Sequence, residues 1–189
     1  MNTVIEPCCY TKQLSHNLEK AESGCGVSHF FSFSDWSTDE LVPWVLSSVT
    51  GCEAMLCLVQ MDVRTVYMIA DMLRRTYHDR MENEEKFIVR HLTIIVQTSR
   101  TDPEEFRAEL RTQLGRFIDQ GRVTVCEDNI GFRCVVAGNG KRHLVIQGSI
   151  NQSRVEPCCQ MYTMTTSREA YDQAMEMLSS KRRTRNIKV

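Results

Sequence analysis

Long hydrophobic runs are missing from this sequence. No stretch approaches the ~18 consecutive apolar residues that a membrane-spanning helix needs. The opening residues, MNTVIEPCCYTKQLSH, lack the basic-then-apolar order of a secretory signal. The expectation is a cytoplasmic chain that does not enter a membrane. Cysteine is plentiful, with nine residues, but the count is odd and no spacing is CxxC. That excludes both a disulfide framework and a zinc ribbon as readings from spacing. The doublets Cys8-Cys9 and Cys158-Cys159 each follow Glu-Pro, yet adjacent strand residues point to opposite faces and make a poor thiolate cage. No metal and no cofactor are expected.

A large charge of one sign is also absent, since 23 Lys and Arg stand against 24 Asp and Glu. The distribution is uneven, however. From Gly131 to Val189 there are ten Lys/Arg and four Asp/Glu, so the second part of the chain is basic and the first acidic. The final residues, KRRTRNIKV, have no apolar periodicity and are expected to fray, as a nucleic-acid arm or a solubilising tail. With 189 residues, 42% of them hydrophobic and 25% charged, the composition fits one globular domain. It is expected over residues 1–180, with 1–26 as an N-terminal extension and 181–189 as a basic tail.

Strand and helix signals alternate along the chain. Strands are expected at 27–33, 53–60, 87–97 and 122–128, the second and third nearly continuously apolar, as in strands covered on both faces. Ser37 with Glu40 forms a capping-box pattern, with Pro43 placing the regular helix near Val42. Asp62 caps a helix on which Val63, Val66, Ala70, Leu73 and Tyr77 share a face. Asp102, Pro103 and Glu105 start another, with Phe106, Leu110, Leu114, Phe117 and Ile118 as its buried stripe. FRCVVAGNGKRHLVIQG reads as a hairpin in which GNG supplies positive φ angles. CCQMYTMT is a further strand, and Thr166 with Glu169 caps a last helix carrying Ala170, Ala174 and Leu178. This order predicts an α/β fold with a mixed sheet.

The hairpin runs straight into GSINQSR. A hairpin followed by G-S-x-N, a short polar turn and an acidic residue resembles one repeat of the phospholipase D superfamily, whose signature is H-x-K, a linker, then G-S-x-N. Gly148, Ser149 and Asn151 fit the second element and Glu156 the acidic position of small single-repeat members; the resemblance runs from about Val27 to Leu178. It implies a phospholipase D-like α/β/α sandwich with a mixed β-sheet, a single repeat and a homodimer. It also implies a histidine that attacks phosphorus, with lysine and asparagine holding the phosphate oxygens.

The histidine is missing. H-x-K should lie in IGFRCVV, but no histidine occurs from Arg122 to Arg142. Gly131 stands where the nucleophile belongs and Arg133 where the lysine belongs, and a guanidinium fork is not equivalent to an ammonium. His143 is the weak catalytic candidate, on the next strand and on a face with Val145 and Gln147. His16, His29, His78 and His91 lie outside the motif, and His29 and His91 read as satisfied core or rim residues. Gly148, Ser149, Asn151 and Arg133 form a candidate phosphate cradle, supported by Glu156, Lys141 and Arg142. The alternative is that Ser149 and Asn151 stabilise only their own turn.

Three functions follow in order. The first is a non-catalytic binding or assembly module that takes DNA or phosphate at the GSIN turn. The second is a phosphodiesterase or nuclease with a displaced histidine, completed in a homodimer. The third is a structural subunit of a larger assembly.

Overall fold

The computed structural model describes residues 9–32, 41–42, 44–45, 48–49, 52–58, 63–82, 89–96, 103–127, 133–148 and 160–181. The elements are α1 (Cys9–Ser23), β1 (Val27–Ser32), β2 (Cys52–Leu58), α2 (Val63–Glu82), β3 (Val89–Val96), α3 (Pro103–Asp119), β4 (Val123–Glu127), β5 (Cys134–Gly138), β6 (His143–Gly148), β7 (Gln160–Thr165) and α4 (Arg168–Lys181). All seven strands form one mixed sheet in the order β1-β7-β6-β5-β2-β3-β4. β2, β3 and β4 are mutually parallel, whereas β5, β6, β7 and β1 join by antiparallel pairing.

Strand alternation divides the core between two faces of the sheet. Ile94, Val96, Val125, Val135, Ala137, Leu144 and Ile146 pack with Leu14 and Leu18 of α1, with Ile69 and Leu73 of α2, and with Phe106 and Leu110 of α3. Ile95, Cys126, Cys134 and Val136 point the other way and pack with Leu178, Tyr171 and Ala174 of α4. Continuously apolar strands are thus covered on both sides, which is what their sequence demands. The expected stripe of α3 is correct: Phe106, Leu110, Leu114 and Phe117 are buried, with Ile118 packed against them.

Four expectations need correction or placement. Within the segment expected as an N-terminal extension, α1 buries Leu14, Leu18 and Ala21. Its apolar positions are few, and two polar groups help fix it: Asn17 is buried and accepts from Ser28 Oγ at 2.8 Å. The cap of α4 is Ser167 rather than Thr166. Ser167 Oγ accepts from the Ala170 N–H at 3.4 Å, while the Thr166 N–H is committed to the Gly26 carbonyl at 2.8 Å. In GNG only Gly140 has positive φ, at 80°, the first central position that a type II′ hairpin turn gives to glycine. Gly138 instead ends β5 beneath α4, where a Cβ would lie 2.6 Å from the Tyr171 ring. The capping residues expected at Ser37, Glu40, Asp62 and Asp102 lie outside the described residues, as do 1–8 and 182–189. Between β1 and β2, residues 41–42, 44–45 and 48 are helical, with Leu41, Val42 and Val45 fully buried.

Candidate functional site

Strand direction fixes two unlike ends of the sheet. At one end lie Leu58, Val96 and Glu127, the carboxyl ends of the parallel strands, beside Cys134, Gly148 and Gln160. Open α/β sheets bind ligands outside the carboxyl ends of their strands. This is also where the chain leaves β6 to enter the GSIN turn, so Gly148 stands at the candidate site's edge.

Gly148 is flanked on both sides. Its N–H donates to the Arg133 carbonyl at 3.3 Å, which extends the β5–β6 ladder by one residue and brings Arg133 opposite Gly148. On the other side Gly148 pairs with Tyr162, and a Cβ at Gly148 would lie 2.5 Å from the Tyr162 ring. Tyr162 is fully buried and stacked on Phe30, with ring centroids 5.6 Å apart. The glycine is therefore required by packing, and its N–H is spent inside the sheet rather than on a ligand. Sequence reasoning missed Tyr162; the signal was the lone aromatic in QMYTMT, at the register position of a glycine.

The structure brings Arg133 and Gly148 together and separates the other expected basic residues from them. Lys141, Arg142 and His143 lie at the turn end of the hairpin. His143 is five residues before Gly148 on one strand, or roughly 16 Å at the rise of an extended chain. Its ring rests on Tyr171, with centroids 4.9 Å apart. Arg142 is clamped: Nε and Nη2 donate to the two Glu22 carboxylate oxygens at 2.6 and 3.0 Å, and Nη1 donates to the Ser48 carbonyl at 3.1 Å. The Lys141 and Arg142 backbone N–H groups donate to Asn139 Oδ1 at 3.0 and 2.8 Å. These groups build the hairpin turn. Ser149, Asn151, Glu156 and Gly131 lie outside the described residues.

Of the remaining histidines His29 is the nearest to Gly148: it pairs with Thr163, which pairs with Gln147, so it stands two strands away, about 10 Å. His29 Nδ1 meets Thr163 Oγ1 at 3.0 Å. His91 is held between the Gly121 carbonyl at 2.8 Å and Thr124 Oγ1 at 3.2 Å, near the amino end of β3. His16 is exposed on α1, and His78 lies in the second half of α2. Glu127 is at the candidate end, 3.9 Å from Arg107, but β4 lies three strands from β5, about 14 Å away. Cys25, Cys126 and Cys134 are free thiols, and the side chains of both cysteine doublets lie outside the described residues. Among the described residues no group of three His, Cys, Asp or Glu could hold a metal ion, and no helix is long and apolar enough to cross a membrane.

No model of a known protein family matches the sequence, and no curated protein matches it. Solved structures do. Nuc, a phospholipase D family member from Salmonella typhimurium, matches with a TM-score of 0.52 at 12% identity, over 86% of this chain and 98% of that one. TrmBL2, an archaeal chromatin protein with a novel mode of DNA binding, matches at 0.55 and 10% identity, over 95% of this chain and 61% of its own. Phosphatidylserine synthase from Haemophilus influenzae Rd KW20 matches at 0.54 and 12% identity, over 85% and 39%. Identities this low establish architecture alone. The chain has the fold of the phospholipase D superfamily, as the hairpin and G-S-x-N turn led one to expect.

Proposed function

We propose that this chain is a single phospholipase D-like repeat, an α/β/α sandwich acting as a homodimeric, non-catalytic module. In this reading it binds a phosphate of DNA at the end of the sheet that carries Gly148. The observation that carries the reading is the pairing of Arg133 with Gly148 at the carboxyl end of the parallel strands, combined with a sequence that has no histidine from Arg122 to Arg142, where the motif nucleophile belongs. Phosphoryl transfer through a phosphohistidine needs the attacking nitrogen roughly 3 Å from phosphorus and in line. His143 is a strand's length away, with its ring against Tyr171. Ser149 and Asn151 then supply neutral donors and Arg133 a charge, which suffices to hold a phosphate but not to cleave its ester.

Nucleic acid is favoured over a small phosphate by the basic surplus after Gly131 and by the DNA-binding chromatin protein among the structures of the same fold. The test compares wild type, Arg133→Ala, Asn151→Ala and His143→Ala on single-stranded and duplex DNA at low and moderate salt. Turnover of bis(p-nitrophenyl) phosphate is followed in parallel. The expected result is no turnover in any of them, salt-sensitive binding, and affinity lowered roughly tenfold in Arg133→Ala and Asn151→Ala. Turnover abolished by His143→Ala would overturn the non-catalytic reading, and salt-insensitive or absent binding would overturn the DNA reading.

A further inference from the structure

β1 closes one edge of the sheet, and among the described residues no strand pairs with its outward row of backbone groups. Ladder direction alternates along a strand. The Gly26 carbonyl accepts from Thr166 of the β7 side, so Ser28 and Phe30 also face β7, and Val27, His29 and Phe31 face outward. The outward carbonyls have side-chain partners at two positions: Gln13 Nε2 donates to Phe31 O at 3.0 Å, and Cys25 Sγ lies 3.9 Å from Val27 O. Among the described residues, the N–H groups of Val27, His29 and Phe31 meet no acceptor.

Natural edges are usually blunted by charge, proline or a bulge. β1, VSHFFS, has no charged residue and no proline, and its register with β7 is unbroken. The sheet face beside it is open and partly apolar. Phe31 pairs with Met161 and both are more than half exposed, at 59% and 57%, with Val27 at 36%. β6 and β7 carry no Asp, Glu, Lys or Arg either. A phosphate backbone or a charged peptide finds nothing to pair with on these strands. A second β1 brings an equally neutral row of donors and acceptors.

We infer that β1 pairs antiparallel with β1 of a second copy of this chain, about a two-fold axis that passes between the two His29 residues. The outward groups are symmetric about that residue, so His29 exchanges its N–H and C=O bonds with its own counterpart. Val27 does the same with Phe31 of the other copy. Val27 and Phe31 also become cross-strand neighbours on the open face, extending the Phe31–Met161 pair into an apolar strip across the axis. The Gln13 amide leaves Phe31 O as the strands join. Because the axis is perpendicular to the sheet, the two Gly148 ends point in opposite directions, and neither copy completes the other's site. The interface specifies the homodimer proposed above and does not draw on the phosphate reading.

The test is sedimentation of the full chain at tens of micromolar, with hydrogen exchange at low and high concentration. Wild type is expected to dimerise, with the Val27, His29 and Phe31 amides protected only at high concentration and the Ser28 and Phe30 amides protected throughout. His29→Pro removes an outward N–H without touching the β7 ladder, and Phe31→Lys places charge on the edge. Each is expected to raise the dissociation constant at least about tenfold with far-ultraviolet circular dichroism retained, whereas Tyr67→Ala, on the far surface of α2, leaves it unchanged. A monomeric wild type overturns both the interface and the homodimer. A dimer indifferent to His29→Pro and Phe31→Lys overturns the interface alone. Unchanged DNA binding by a monomeric variant shows that the Gly148 end acts independently.

Discussion

The two ends of the β5–β6 hairpin are made from one short stretch of chain and are built in opposite ways. At the turn end, charge is consumed by architecture: the Arg142 fork ties the hairpin to α1 and to the helical residues before β2, and Asn139 braces the turn. At the Gly148 end, six strand termini, those of β2 to β7, lie along one side of the sheet, and there Arg133 meets a packed glycine. Proximity in sequence is thus a poor guide to proximity at a site. Lys141, Arg142 and His143 precede the G-S-x-N turn closely, yet an extended strand carries them to the far side of the molecule, while Arg133 arrives from the neighbouring strand.

The contrast can be broken first at its two glycines. Gly148→Ala drives a methyl group into Tyr162, which is fully buried and stacked, and overpacking of that kind costs about 1–3 kcal/mol. Gly138→Ala meets the outer end of the Tyr171 ring, which is only partly buried on α4 and can swing aside. Urea unfolding should show the larger loss for Gly148→Ala; equal losses would mean that the two ends are equally rigid. Next in size is Arg142→Ala. Its side chain is 44% exposed and that of Glu22 35%, so the fork contributes about 1 kcal/mol after solvent screening. The expected result is a lower denaturant midpoint with unchanged DNA affinity, and a loss of affinity without loss of stability would assign Arg142 to binding. The smallest effect concerns Tyr67, remote from the hairpin. Its pKa is raised above 10.0, first by the hydrogen bond to the Glu109 carboxylate, with further contributions from desolvation and that carboxylate's charge. A raised folded pKa means stability present below pH 10 and lost as pH climbs through the folded value. Tyr67→Phe should flatten that alkaline decline in midpoints measured on either side of pH 10.

What the sequence made legible follows from how local each signal is. The strands through MLCLV and LTIIV and the stripe on α3 were readable because periodicity and composition are properties of neighbours. α1 escaped because its buried face is short and includes Asn17, whose partner Ser28 lies beyond the next turn. Ser167 was displaced by Thr166 as cap because both are good caps, and only the Gly26 carbonyl decides between them. The Gly148 motif was visible as letters, but its companions were not. Arg133 reaches it through strand pairing and Tyr162 through the return of the chain in β7, and neither register can be read from a single segment.

The pairing of β1 with β7 joins Val27 to Thr165, so a strand near the start of the chain waits for one near its end. During synthesis at ~5–20 residues per second that wait is on the order of ten seconds. Throughout it the neutral VSHFFS segment has two open edges rather than one. Non-local closure of this kind is slow because the loop entropy is spent before the contact is made. The nascent chain is therefore most vulnerable to misassembly in the interval before β7 emerges, and C-terminal truncations that remove β7 should accumulate as insoluble protein even when every helix packed on the acidic first part of the chain is intact.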